Sequence, residues 1–172
     1  MKHQHEDRYP LSAEDMYRVF CDRAFYEARY AKGGRYEFVE FGARGNQFIV
    51  DVRQFIALRS DTKIPALARR FVRDENVLRT TIRWNLEPDA GGERRGTHSF
   101  RIEGVPVEID GTMRLVPVSG GCVNHIALDI RCTIPLIGGT VAAMLGERAG
   151  RTLARNQEST NRYLRERGLI PA

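Results

Sequence analysis

The stretch that decides the fold is His125-Ile126-Ala127-Leu128-Asp129-Ile130-Arg131-Cys132-Thr133-Ile134-Pro135, which leads through Gly138-Gly139 into an unbroken helical segment from Thr140 to about Arg167. Its first part alternates apolar and polar residues, the pattern of a strand with one covered face. At about 1.5 Å per residue, the helical segment reaches about 40 Å, long enough to cross a domain of this size. We therefore expect a sheet that grips a long helix, an arrangement that encloses cavities.

Segments upstream alternate in the same way, and glycine-rich turns at 42–46, 89–92 and 119–121 separate successive strands. Successive hairpins predict an antiparallel meander, and the period of two assigns one covered face to its strands. On that face we expect Leu78, Thr80, Ile82, Trp84 and Leu86, then His98, Phe100 and Ile102, then Val107, Ile109, Gly111, Met113 and Leu115, and finally Ile126, Leu128, Ile130, Cys132 and Ile134.

The N-terminal region carries helix signals. Ser12 and Asp22 are N-cap residues, and they predict two short helices between a polar strand at about 2–9 and the pair Gly33-Gly34. Pro65 opens a further short helical turn over 64–71. No linker or internal repeat divides the chain, so 1–172 is expected to be a single domain. The predicted fold class is α+β helix-grip: a curved seven-stranded antiparallel sheet wrapped around the long C-terminal helix, with two short helices after the first strand.

The composition indicates a globular protein with no strong electrostatic partner. Apolar residues make up 42% of the 172 residues, enough for a core. The net charge of +5 is spread along the sequence rather than gathered in a block, so nucleic acid is not an expected partner. No window approaches about 18 consecutive apolar residues, and the first residues do not resemble a signal peptide. We expect a cytoplasmic protein without stable membrane insertion.

The cysteines and the N-terminal histidines give weak metal signals. Cys21, Cys122 and Cys132 form no Cys-x-x-Cys pair, which favours free thiols over a disulfide framework or a zinc site. His3, His5 and Asp7 share one side of the first strand, a pattern that binds a metal only when a further ligand converges. A solvated strand edge is the preferred interpretation, and no metal or other cofactor is predicted.

The helix stripe that should face the sheet changes character along its length. After Val141 and Leu145 it continues through Thr152, Asn156 and Ser159. A buried polar group without a partner costs about 1–3 kcal/mol, so these residues are unusual against a dry sheet. Either a cavity with water or ligand lies there, or the stripe is solvated.

Several local motifs carry a resemblance to a known superfamily. They are Tyr9-Pro10, Asp22-Arg23-Ala24-Phe25-Tyr26, the Trp84 strand, Gly104-Val105-Pro106-Val107 with Gly111, and Ile134-Pro135-Leu136-Ile137-Gly138-Gly139. With the predicted order of elements, nearly the whole chain resembles the helix-grip proteins of the START-like, or SRPBCC, superfamily, in particular a bacterial branch of uncharacterised function. The resemblance implies a hydrophobic cavity between sheet and terminal helix. Because the superfamily includes lipid-transfer proteins, hormone-binding and pollen-allergen proteins and polyketide cyclases, it selects no function and carries over no catalytic residue.

The expected cavity wall supplies the functional hypotheses. It comprises Ile82, Trp84, His98, Phe100, Ile109, Met113, Leu128, Ile130, Leu145, Thr152 and Asn156. An apolar wall with few polar groups is typical of a ligand site, so the first hypothesis is a non-enzymatic protein that binds a small hydrophobic or amphipathic molecule, a lipid or an aromatic metabolite. The alternative is a polyketide cyclase-like enzyme in which His98 acts as acid or base. A third is a closed cavity in a protein that acts through its surface.

Two wall residues have interpretations that the sequence leaves open. The Trp84 indole N–H is expected to donate to a ligand or to Asn156, or the ring is plain core. His98 either orients a ligand or is satisfied by a neighbouring hydroxyl or carboxylate. The oligomeric state is also open.

Overall fold

The computed structural model describes residues 1–57 and 64–171. Its elements in chain order are β1 (Lys2–Tyr9), α1 (Ala13–Phe20), α2 (Arg23–Tyr30), β2 (Tyr36–Arg44), β3 (Gln47–Ile56), α3 (Ala66–Arg69), β4 (Asn76–Asn85), β5 (Arg94–Ile102), β6 (Val107–Val118), β7 (Gly121–Cys132) and α4 (Gly138–Glu166). Within the described ranges, seven strands form one antiparallel sheet in the order β1-β7-β6-β5-β4-β3-β2. The predicted α+β class, the curved sheet and the long terminal helix are confirmed.

Local signals start the helices where the sequence predicts them. The Ser12 hydroxyl accepts a hydrogen bond from the Asp15 backbone N–H at 3.0 Å, and the Asp22 carboxylate accepts one from the Ala24 N–H at 3.0 Å. Both caps satisfy amide groups that the first helical turn leaves unpaired. α4 runs for 29 residues, in agreement with the expected long helix. None of the helices in 1–57 and 64–171 combines the length and apolar character needed to cross a bilayer.

The strand register confirms the predicted covered face. Ile82 lies opposite His98, His98 opposite Gly111, and Gly111 opposite Leu128, so one row of alternating residues crosses four strands. This concave face carries α1, α2 and α4. Aromatic side chains of the short helices fill much of it: the Phe20 ring stacks on Trp84, with 5.7 Å between ring centroids and 6° between planes.

A second, smaller core lies where α4 begins. Ala68, Val107, Ile134 and Val141 are buried together beneath α3. Ile134, predicted as the last inward residue of a strand, lies just beyond β7 in this cluster. The short helical turn after Pro65 is present as the sequence predicts, and the structure packs it on this second core.

The convex face of the sheet is covered by ion pairs. Its buried or half-buried carboxylates each bind an arginine: the pairs are Asp51–Arg79 at 2.7 Å, Glu93–Arg114 at 2.7 Å, Asp110–Arg101 at 2.7 Å and Asp110–Arg131 at 2.8 Å. The arginine stems also shield apolar surface, because long side chains cover neighbours while their charged ends reach water.

The outer edge of the sheet at β2 is irregular. Between Phe38 and Glu40 the register with β3 shifts, which marks a β-bulge at Val39. Val39 is exposed, whereas Phe38 and Phe41 on either side pack on each other at the concave face. The bulge therefore interrupts the pairing edge of this strand.

Candidate functional site

A cavity of about 310 Å³ lies between the concave face of the sheet, α2 and α4. An engineered cavity of about 150 Å³ is large enough for benzene, so this one has room for about two aromatic rings. The lining residues are Asp7, Tyr9, Phe20, Tyr26, Arg29, Tyr30, Gln54, Leu78, Thr80, Ile82, Trp84, His98, Phe100, Met113, Asn124, Ile126, Thr152, Leu153 and Asn156. Its wall is mostly apolar and aromatic, with a minority of polar groups, which is the composition of small-molecule sites.

Two glycines let rings lie against the sheet at the cavity wall. Trp84 pairs with Gly96 across β4 and β5, and a Cβ atom on Gly96 would lie 2.8 Å from Cε3 of the indole. His98 pairs with Gly111 across β5 and β6, and a Cβ atom on Gly111 would overlap the imidazole. Glycine inside a strand often marks such a close approach. The two rings therefore occupy space that side chains on β5 and β6 would otherwise fill.

Three buried polar atoms of the lining residues have no hydrogen-bond partner among the described residues. They are Trp84 Nε1, His98 Nε2 and Asn124 Oδ1. The three residues are 1%, 6% and 3% exposed. Most buried polar groups in proteins are hydrogen-bonded, and each unsatisfied one costs about 1–3 kcal/mol. The three residues line the cavity, and these three atoms themselves are enclosed by protein.

Burial controls the charge of His98. It lowers the pKa of the imidazole to about 4, and the opposing effect of the Asp110 carboxylate is smaller. The side chain is therefore neutral at pH 7. A neutral imidazole offers one hydrogen-bond donor and one acceptor, rather than a positive charge.

The β1 side of the cavity contains a group of charged and hydroxyl side chains. Asp7 is buried, and its Oδ1 lies 2.9 Å from Nε2 of His5. Burial raises the pKa of Asp7, while His5 acts in the opposite direction. Arg29 lies over the Phe25 ring, 4.6 Å from its centroid, and donates a hydrogen bond to Thr160 Oγ1 at 3.0 Å. Arg29, a cation that already has a hydrogen-bond partner, and the acidic Asp7 thus lie on the same side of the cavity.

The predicted wall is only partly the wall of this cavity. Seven of its residues line the cavity: Ile82, Trp84, His98, Phe100, Met113, Thr152 and Asn156. The other four lie in packed core: Ile109, Leu128, Ile130 and Leu145. α4 packs on β1 and β7, so it covers Leu128 and Ile130 directly, whereas Asn124 and Ile126 of the same strand line the cavity.

Small residues lie on α4 where it packs on the sheet. Ala142 and Gly146 are buried on the helix, and a Cβ atom at Gly146 would lie 2.6 Å from Cε of Met1 and, in ordinary contact, 3.9 Å from Cδ1 of Ile130. The buried stripe continues to Thr160 and Leu164. The predicted stripe through Thr152 and Ser159 is therefore rotated away from the sheet, and both residues are exposed, with Thr152 at the cavity wall. The predicted stripe contained neither Ala142 nor Gly146, two small residues that are buried on the helix.

Neither expected protein partner of the two ring nitrogens is present. Trp84 Nε1 does not donate to Asn156, although both residues line the cavity. His98 Nε2 has no hydroxyl or carboxylate partner among the described residues.

Several lining residues were absent from the predicted wall. Tyr26, Tyr30 and Phe20 come from the short helices, whose placement on the sheet is non-local. For Asn124 and Asp7, the sequence does contain a pattern that predicts a position on the concave face. Asn124 lies two residues before the inward Ile126, and Asp7 lies opposite it on β1, so the period of two places both on the concave face.

The predicted N-terminal metal alternative has no support in the geometry. His5 and Asp7 are hydrogen-bonded to each other, and His3 packs against Gly150 of α4, with a Cβ there 3.2 Å from its ring. Among residues 1–57 and 64–171, no three His, Cys, Asp or Glu side chains come together as a metal site would require. The three cysteines are free thiols.

The chain has relatives and structural neighbours along most of its length. Uncharacterised proteins of Mycobacterium tuberculosis and Mycobacterium bovis are each 24% identical to it over 163 residues, which is 91% of this chain and 92% of theirs. A crystal structure of a Thermus thermophilus protein superposes with a TM-score of 0.56 at 18% identity, covering 92% of this chain and 96% of the other.

A protein of Rhodobacter sphaeroides gives a TM-score of 0.50 at 20% identity, covering 95% and 88% of the two chains. At these identities the two structural likenesses support the fold alone. Residues 4–164 match the profile of the family described as "Protein of unknown function (DUF2505)", and the chain belongs to that family.

Proposed function

We propose that the protein is a START-like helix-grip module that binds a small, mainly apolar molecule with polar groups in the cavity between the sheet, α2 and α4. The observation that carries the proposal is the cavity itself, about 310 Å³ in volume with a mainly apolar and aromatic wall and a minority of polar groups. A cavity of this volume is at the lower end of the range of small-molecule sites.

The volume narrows the ligand class. Space for about two aromatic rings suits an aromatic metabolite or a compact terpene-like molecule. A lipid with two long acyl chains is too large for about 310 Å³. Of the two ligand classes expected from the sequence, the cavity therefore favours the aromatic metabolite. A cytoplasmic location is part of the same proposal.

The charge state of His98 favours binding over catalysis. A general base works best when its pKa lies near the working pH, and the pKa of His98 is lowered to about 4. A polyketide cyclase-like reaction with His98 as acid or base would thus use a weak base at neutral pH. The neutral ring is better suited to hold a polar group of a bound molecule.

The first experiment is mass spectrometry of the purified full chain under native and then denaturing conditions. We expect a stoichiometric small molecule in the native spectrum that is released on denaturation. Its conversion to a product during incubation would turn the proposal toward an enzyme. An empty protein that also fails to bind naphthalene would overturn the proposal.

A variant pair locates the binding site. Thr152→Trp places a large ring on the exposed α4 residue at the cavity wall, and we expect it to lower naphthalene affinity about tenfold or more. Arg155→Trp introduces the same ring on an exposed residue of α4 that does not line the cavity, so its affinity should remain within twofold. Fluorescence titration measures both. Equal affinities in the two variants would place any binding outside this cavity.

A further inference from the structure

A second recess, about 140 Å³ in volume, lies between α2 and the C-terminal part of α4. Arg29, Lys32 and Arg162 bring three positive charges to its wall, and Ser159 adds a hydroxyl group. Among the lining residues that the structure describes, Glu166 is the one carboxylate. We propose that this recess binds a phosphate-type oxyanion, at a site separate from the apolar cavity and independent of the function proposed for that cavity.

The Arg29 guanidinium is fixed in place with most of its donors unused. Its Nη2 donates to Thr160 Oγ1 at 3.0 Å, and its Cζ lies 4.6 Å from the centroid of the Phe25 ring, which also lines the recess. Thr160 is buried and donates its own hydrogen to the Asn156 carbonyl oxygen at 2.8 Å. A guanidinium has five N–H donors. Nε and Nη1 of Arg29 have no partner among the described residues, and neither nitrogen is enclosed by protein.

The other two cations approach the recess from both sides. Lys32 follows Arg29 by three positions, and Arg162 follows Ser159 by three positions on α4, so each pair is about one helical turn apart. Lys32 and Arg162 are exposed, and neither forms a hydrogen bond or an ion pair within 1–57 and 64–171. Because their side chains are long and unconstrained, both can turn toward one small group in the recess.

The missing counter-charge distinguishes these cations from the arginines of the convex face. There, Arg79, Arg101 and Arg114 each hold a carboxylate at 2.7 Å.

The recess itself keeps an excess of positive charge. Glu166 forms no ion pair with any described residue, and Asp7 acts on Arg29 electrostatically from the cavity side without an ion pair. One lining carboxylate against three lining cations leaves the recess positive. A bound oxyanion would supply the counter-charge that the protein does not.

The volume and the donors favour phosphate. A cavity of about 150 Å³ holds benzene, so this recess has room for a phosphate group but not for a whole nucleotide. Arginine binds phosphate through charge-assisted, often bidentate hydrogen bonds, and lysine adds a point charge. The Ser159 hydroxyl can donate one more hydrogen bond. The phosphate group belongs either to a small soluble molecule or to a lipid headgroup.

The first test is calorimetric titration of the full chain with inorganic phosphate at pH 7, with chloride used to keep the ionic strength constant. We expect the double variant Lys32→Met with Arg162→Met to bind phosphate about tenfold more weakly or worse. Arg151→Met with Arg155→Met is the matched control, because it removes two charges from exposed α4 residues that do not line the recess. Its affinity should stay within about twofold of the parent protein.

A second variant should bind phosphate more tightly. Glu166→Gln removes the lining carboxylate, and we expect the affinity for phosphate to rise about threefold. Glu158→Gln, on an exposed α4 residue outside the recess, should change it by less than about 1.5-fold. A damaged fold cannot produce this gain, and thermal unfolding verifies that each variant is folded.

Sedimentation with phosphatidic acid vesicles distinguishes the two sources of the phosphate group. Sedimentation that the Lys32→Met, Arg162→Met variant loses and its control keeps would support a lipid headgroup at the recess. Binding of inorganic phosphate without sedimentation would support a soluble phosphate compound.

Two outcomes would overturn the proposal: no binding of either probe, or equal losses in the double variant and its control. Lys32 and Arg162 do not line the apolar cavity, so naphthalene binding remains a separate measurement of the proposed function.

Discussion

The two faces of the sheet treat buried polar groups in opposite ways. On the convex face, Asp51 is 4% exposed and is held by three hydrogen bonds from Arg79. On the concave face, Trp84, His98 and Asn124 are buried to a similar degree, yet each has a polar atom without a partner among the described residues. The buried carboxylate of the convex face is therefore satisfied within the protein, whereas the three atoms of the concave face are not. The comparison separates polar groups that stabilise the fold from polar groups whose burial costs about 1–3 kcal/mol each.

The largest expected loss of stability comes from a substitution whose new side chain competes with the His98 ring for space. Gly111→Ala would place a Cβ against the His98 imidazole and 2.8 Å from the carbonyl oxygen of Ala127, so we expect a loss of about 3 kcal/mol or more in the free energy of unfolding. Gly139→Ala is the control, since nothing lies within 4 Å of its added Cβ and alanine favours helix. Urea denaturation measures both.

A second substitution identifies which neighbour causes the loss. His98→Ala combined with Gly111→Ala should recover part of the stability, because the ring is gone and only the carbonyl contact remains. No recovery would show that the backbone contact, rather than the ring, makes glycine necessary at this position.

The pH dependence of stability is the next largest effect. The pKa of His98 is about 4 in the folded protein and about 6.5 in the unfolded chain, so below pH 6.5 the unfolded state binds more protons. Stability therefore falls as the pH is lowered from 6.5 to 4, by up to about 3 kcal/mol at 1.36 kcal/mol per pKa unit. His98→Phe should flatten the curve in this interval, as measured by urea denaturation at a series of pH values. A slope equal to that of the parent protein would rule out His98 as its source.

Breaking an ion pair on the convex face should lower the free energy of unfolding by an intermediate amount. Asp51→Asn leaves Arg79 without its carboxylate, and we expect a loss of about 2 kcal/mol, below that of a fully buried pair because Arg79 can turn toward water. Asp129→Asn, at a half-exposed carboxylate 3.7 Å from Arg131, should change stability by less than about 0.5 kcal/mol. Equal effects would mean that burial does not distinguish the two pairs.

The smallest expected effect has the opposite sign. Asn124→Leu removes a buried atom that has no partner among the described residues, so the ligand-free protein should become more stable by about 1 kcal/mol. Asn85→Leu, on an exposed residue of β4, should be neutral within about 0.5 kcal/mol. Denaturation of ligand-free samples tests the pair. Destabilisation by Asn124→Leu would show that Asn124 supports the fold through its other polar atom.

The sequence predicts the fold well because its signals are local. Alternation along each strand identifies the concave face, and the caps at Ser12 and Asp22 place the short helices to within a residue. The position of the cavity, in contrast, depends on how the helices pack on the sheet, which local signals do not show. Whether Leu128 and Ile130 face a cavity or a helix depends on Ala142 and Gly146, small residues that carry no strong apolar signal. That Gly96 lies opposite Trp84 and Gly111 opposite His98 can be recognised only once the register between the strands is known.

The bulge at Val39 bears on the behaviour of the protein at high concentration. A regular outer strand would offer a row of free amide and carbonyl groups to a second molecule. Here the register shift between Phe38 and Glu40 breaks that row, and charged Glu37 and Glu40 flank the exposed valine. Growth by strand addition, the first step toward fibrils and gels, is thereby opposed at this edge, and concentrated solutions should stay free of fibrillar aggregate even though a hydrophobic side chain is presented to solvent.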